Sequence, residues 1–220
     1  MTHLKQAETG DKGTGDKGTK WEGLASETSL NKAEKALQEH GMKVYVAGNR
    51  KEAFKKAFEL IPEGTEVMDL TSVTLEETGI AKEIYESGKY KSVRKKIMSV
   101  EQKEMRDAMR RMSGSVDYAI GSVHAVTEDG KVVIASASGS QIPAYAFGAR
   151  KLIWVVGTQK IVKNLDDALK RIYEHSFPLE DQRARKAYGM PSSVCKILIV
   201  EKEANPERIS IILVKEKLGF

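Results

Sequence analysis

Apolar positions fall at helical spacing over residues 26–40, where Ala33, Ala36 and Leu37 share a stripe and Gly41 supplies a stop signal. A short apolar run, Met42 to Val46, fits a buried strand. Asn49 is placed to cap a helix carrying Ala53, Phe54, Ala57, Phe58 and Ile61, which ends at Pro62. Glu66 to Leu70 reads as a second buried strand, and strand–helix–strand order argues for a parallel sheet with a right-handed crossover. Residues 72–80 form a polar turn entering a helix that continues to Gly88, with Ser72 or Thr74 as cap and an acid three residues on. Scattered Val93, Ile97, Met98, Met105 and Met109 in a charged context predict one or two amphipathic helices up to Met112.

Residues 117–162 carry a denser pattern: strand, hairpin, strand, a Gly/Ser turn opening a short helix, then a buried strand ending at Gly157. An amphipathic helix follows from Leu165 to His175, interrupted by Pro178, and a second helix ends at Gly189. Val194 to Val200, which includes Cys195 as an expected buried thiol, and Ile209 to Val214 are the last strands. The sum is an α/β fold, a mostly parallel sheet flanked by helices with an antiparallel hairpin.

Two hundred and twenty residues, 40% of them hydrophobic, are enough for one full core. Residues 1–22 contain a tandem GDKGT repeat and read as a disordered low-complexity tail, leaving 23–220 as a single domain. The net charge of +5 is interleaved with acids rather than gathered in a stripe, which argues against a nucleic-acid surface. The densest basic runs, Arg94-Lys95-Lys96 and Arg110-Arg111, keep a metabolite-sensing, nucleic-acid-touching module as a distant third reading. A single cysteine excludes an intrachain disulfide and a cysteine-built cluster. The polar start lacks the apolar core of a signal peptide, and no run reaches the length of a membrane span, so the expected compartment is the cytoplasm.

Small hydroxyl and glycine residues gather at predicted strand ends, where α/β sheets bind ligands: Gly121-Ser122, Ser138-Gly139-Ser140-Gln141, and Gly157-Thr158-Gln159-Lys160. Backbone N–H groups freed by glycine, hydroxyl donors, a helix N-terminus and one cation make an anion-favouring pocket for a small acid. Ser72 and Thr74 can face the same ligand while capping their helix. The acid/base candidates are His124, Glu77 and Lys160. No HExxH, CxxC or Walker loop is present, the histidines have no metal-ligand spacing, and Ser138-Gly139-Ser140 does not make a GxSxG elbow. No metal site is expected.

Three stretches in succession, TSVTLEETGI at 71–80, YAIGSVHAVTEDGKVVIASASGSQIPAY at 118–145 and VVGTQKIVKNLDDALKRIYE at 155–174, resemble the LUD-domain family, named for lactate utilisation. The resemblance covers residues 23–220 and implies a fold similar to ribose-phosphate isomerases and CoA transferases. It also implies a small-acid-binding subunit that acts with iron–sulfur partners in lactate oxidation. The clusters would then sit on partner subunits, with no cofactor in this chain. The CoA transferases of that fold use a loop glutamate as acyl acceptor. Here the turn at residues 137–140 has none and Glu128 sits in the hairpin tip, which argues against that mechanism. The alternative is a stand-alone isomerase/transferase-fold enzyme acting on a phosphorylated or carboxylated metabolite.

Overall fold

A computed structural model of the chain describes residues 20–220. In chain order the elements are α1 (Glu27–Glu39), β1 (Lys43–Ala47), α2 (Arg50–Leu60), β2 (Glu66–Asp69), α3 (Val73–Glu77), α4 (Ile80–Glu86), β3 (Lys91–Ser92), α5 (Val93–Met98) and α6 (Met105–Met112). There follow β4 (Val116–Gly121), β5 (Ala125–Thr127), β6 (Val132–Ser136), β7 (Ala149–Gly157), β8 (Ile161–Val162), α7 (Leu165–Arg171), α8 (Phe177–Tyr188), β9 (Lys196–Val200) and β10 (Ile209–Val214). The tandem repeat lies outside the described residues. Of the expected tail, Trp21 packs on the core beside α7 and its indole N–H donates to Glu174.

Six strands form one sheet in the order β1-β10-β7-β4-β2-β3, every pair parallel. Its central strands alternate between two buried faces, as strands covered on both sides must. On β7, Leu152, Trp154 and Val156 face α1, α5 and the second sheet, whereas Ile153 and Val155 face α2, α3 and α4. Strands β8-β5-β6-β9 make that second, mixed sheet. Its Val126, Val132 and Ile134 join the first core, and Ala125, Val133 and Ala135 pack on Ala168 and Ile172 of the α7 layer. The architecture is α/β, as expected, but the hairpin belongs to a sheet of its own.

Several local expectations are corrected. The run at 42–46 is an edge strand, with Val46 41% exposed. β9 is likewise an edge, its Ile197 and Ile199 half-exposed, and Cys195 just before it is exposed rather than buried. Alternation reads alike for an edge and a centre strand, because only the number of neighbours differs. Pro178 does not interrupt the helix. A π-helical turn, Ile172–Ser176, carries the chain from α7 into α8, and the proline sits in the first turn of α8, where its missing N–H costs nothing. Ser72 occupies the N-cap position of α3 but makes no side-chain capping bond.

Candidate functional site

The carboxyl ends of β2, β4 and β6 open into one cavity of about 490 Å³, walled on the far side by α8 and the residues after it. For β2 and β4 the placement follows from the parallel sheet, whose strand ends deliver their loops to the same edge, and β6 of the second sheet brings its own end to that edge. Ser72, Thr74, Ser122, His124, Ser138, Ser140, Gln141 and Lys160 all line it. These residues come from four separate loops, the same strand-end segments in which the hydroxyl clusters stand.

Lys160 is the centre of the arrangement. It ends a single 3₁₀ turn after β7, is 2% exposed, and its amine lies 3.1 Å from the Thr74 hydroxyl and 3.2 Å from that of Ser122. Among the described residues it makes no ion pair. Burial, then the nearby Arg171 guanidinium, lowers its pKa from 10.5 to about 7, against a weaker opposing pull from Glu77. A buried ammonium without a carboxylate is costly, so such a group marks a functional position more often than a structural one.

His124 stands at the cavity wall in the loop between β4 and β5. The backbone N–H of Ala135 donates to its Nδ1 at 3.1 Å, so Nδ1 is the acceptor and the neutral ring carries its proton on Nε2. Burial, then Lys160 and Arg171, lowers its pKa to about 3. At neutral pH His124 is therefore an uncharged hydrogen-bond donor rather than a base. Behind it, the fully buried Arg171 donates to the His124 carbonyl at 2.6 Å and to Ser176 Oγ at 2.9 Å, and its Nε and Nη2 have no hydrogen-bond partner among the described residues.

The Ser138–Gln141 turn is not the cradle of free N–H groups that its composition predicts. Gly139 N–H donates to Ser136 Oγ and Ser140 N–H to Ser138 Oγ, so its own side chains satisfy it. Ser138 donates to Ser140 Oγ, leaving the Ser140 hydroxyl proton for a ligand. Gly139 adopts a left-handed φ of 84°, and Lys196 packs where a side chain would stand.

The other expected site residues take structural positions. Gln159 donates to the Leu218 and Gly219 carbonyls, and Gly157 leaves room for this contact because a Cβ there would overlap Gln159 and the 216–218 backbone. Glu77 is exposed and accepts from Gly219 N–H at 2.7 Å. Gly121 is needed because a methyl there would strike the hydroxyl of Tyr145, which donates to the Ser122 carbonyl. Tyr145 is itself buried against Trp154, whereas Phe147 is exposed.

Residues not anticipated include Asp69 and Arg94. Asp69 ends β2, is 5% exposed, and its Oδ2 accepts from Arg94 Nη1 at 3.0 Å while Oδ1 has no partner among the described residues. Burial raises its pKa, and Arg94 only partly offsets this. Glu180 and Arg183 of α8 form a second pair on the cavity wall, with Nε 2.7 Å from the carboxylate. The only signal for Asp69 was its place at the end of a predicted buried strand.

The fold is a parallel α/β sheet joined to a second, mixed sheet, with strand ends that converge on a hydroxyl-rich cavity holding the buried Lys160 amine. Residues 30–214 match the LUD domain, and the chain belongs to that family. Among solved structures it is similar to a DUF162-family protein from Deinococcus radiodurans. The two are 11% identical, aligned over 87% of this chain and 99% of the other with a TM-score of 0.53, a likeness of fold. No curated protein matches the chain. No helix among the described residues is long and apolar enough to cross a membrane. Among the same residues no group of three His, Cys, Asp or Glu side chains is placed to hold a metal ion.

Proposed function

We propose that this chain is the small-acid-binding subunit of a cytoplasmic lactate-utilisation assembly, in which iron–sulfur centres on partner chains carry the electrons. The observation that carries the reading is Lys160: a buried amine whose hydrogen-bond partners among the described residues are two hydroxyls, opening on a cavity at the strand ends. A carboxylate entering there supplies the counter-charge the amine lacks and restores its ammonium form. Ser122, Ser140 and the His124 Nε2–H are donors for its remaining oxygens.

The cavity's size favours a second reading. Its volume of about 490 Å³ exceeds the needs of a three-carbon acid and suits a larger phosphorylated or carboxylated metabolite, handled by a stand-alone isomerase/transferase-type enzyme.

Thermal unfolding with lactate, pyruvate, sugar phosphates and CoA thioesters separates the two. A ligand at ~100 times its dissociation constant stabilises the native state by about 2.7 kcal/mol. A shift with lactate or pyruvate that is lost in Lys160→Met supports the acid-binding subunit. A shift confined to sugar phosphates or thioesters supports the second reading. Shifts unchanged in Lys160→Met place the ligand elsewhere and overturn both.

A further inference from the structure

We propose that Lys160 is a nucleophile, condensing with the carbonyl carbon of a 2-oxo acid held in the cavity to form an imine. The inference deepens the acid-binding reading and rests on it: a site that only holds a carboxylate needs a cation, and an arginine does that better than a buried lysine.

Three features of the molecule favour covalent chemistry. The amine is held within hydrogen-bond distance of two hydroxyls, Thr74 at 3.1 Å and Ser122 at 3.2 Å, and makes no ion pair among the described residues. A protein carboxylate in permanent contact would fix it as ammonium, which has no lone pair, whereas a 2-oxo acid reacts from the orientation in which its carbonyl carbon, and not its carboxylate, meets the neutral amine. Arg171 lies close enough to act against a second positive charge, so burial and the neighbouring cation both favour the neutral, nucleophilic amine. His124 is held by the Ala135 N–H as an uncharged donor, the form suited to polarising a carbonyl oxygen without donating its proton outright.

The step balances without a further reactant. The Lys160 nitrogen attacks the carbonyl carbon, forming the C–N bond as the C=O π pair moves to oxygen, where His124 Nε2–H stabilises it. Both amine protons then pass to that oxygen, with the Ser122 hydroxyl as relay group, and it departs as water to leave C=N. The reaction is reversible, so the adduct holds or activates a 2-oxo acid with no redox change. The class of reaction that supplies such a ligand is oxidation of a 2-hydroxy acid.

The test is reductive trapping on the full chain. The protein is incubated with pyruvate or glyoxylate, reduced with sodium borohydride, and examined by intact mass and peptide mapping. The expected result is one adduct per chain, on the peptide containing Lys160, absent in Lys160→Met and Lys160→Arg. Its yield should rise steeply between pH ~6 and ~8, below the range where surface lysines, near pKa ~10.4, become reactive. An adduct spread over surface lysines, or of equal yield in the variants, overturns the proposal. Thermal shift on the same samples without borohydride distinguishes the two levels of failure. A pyruvate-induced shift with no adduct overturns the imine and leaves the binding reading standing, whereas neither shift nor adduct overturns both.

Discussion

The amine of Lys160 and the hydroxyl of Thr74 meet at 3.1 Å, joining the turn after β7 to the first turn of α3 across the mouth of the parallel sheet. Thr74 in turn donates to the Leu218 carbonyl, so the contact is part of a packed joint. Burying the amine shifts its pKa from 10.5 to about 7, and that shift makes the native state poorer in protons than the unfolded chain between those values. The cost of the buried charge is complete below pH ~7 and shrinks by about 1.4 kcal/mol per pH unit up to ~10.5. Lys160→Met should therefore raise the melting temperature most at pH ~6, with the advantage fading toward pH ~10. A gain independent of pH would show that the amine is not depressed.

His124 has the opposite working range. Its pKa falls from 6.5 to about 3 in the native state, so the unfolded chain takes up a proton first as pH drops. Stability present above pH ~6.5 is then lost progressively down to ~3, by at most about 1.4 kcal/mol per unit. The ring is only half-buried at the cavity wall, and contact with water keeps the loss below that limit. His124→Asn can keep an acceptor for the Ala135 N–H while removing the titration. Urea midpoints at pH ~7 and ~4.5 should differ less for this variant than for the wild type, and an equal difference would assign the acid sensitivity elsewhere.

The parallel sheet and the cavity loops were legible because both depend on local pattern. The β7 run and the strand end at Ser122 belong to the parallel sheet, whose order sends its ends to one edge, and Ser138 reaches the same cavity from β6 in the second sheet. Asp69 was not legible: its partner Arg94 is 25 residues away on α5, and pairing of that kind leaves no periodic trace. Gln159 misled for the same reason. Polar residues after a strand look alike whether they face a ligand or, as here, grip the backbone at Leu218 and Gly219.

Gly121 and Tyr145 occupy one another's space. A methyl on Gly121 would overlap the Tyr145 hydroxyl and crowd its ring, which is buried edge-on against Trp154. Gly121→Ala should destabilise by roughly 1–3 kcal/mol, the range for overpacking. Tyr145→Phe removes the hydroxyl and should recover part of that loss, so that in a double-mutant cycle the two substitutions together cost less than their sum. Strict additivity in denaturant unfolding would mean that the backbone moves instead of the ring.

Asp69 and Arg94 form the pair whose disruption is most asymmetric. The carboxylate is almost fully enclosed with one oxygen unpartnered, whereas the guanidinium is 38% exposed and also donates to Thr71. Removing Arg94 leaves the Asp69 charge buried without compensation. Removing the Asp69 charge leaves Arg94 able to turn to water. Arg94→Met should thus destabilise by roughly 1–3 kcal/mol at pH ~7, below the 3–5 kcal/mol of fully buried pairs because the arginine is partly solvated, and Asp69→Asn by less. The pH dependence has a definite sign. The native pKa of Asp69 already lies above 3.8, so its charged form weakens the native state as pH rises through that value, and loss of Arg94 moves the native pKa further up. Wild type and Arg94→Met should therefore converge in stability as pH is lowered through the range in which the native carboxyl takes up its proton. A deficit that stays unchanged down to the lowest pH at which both proteins remain folded would assign the loss to the packing of α5 rather than to the buried charge.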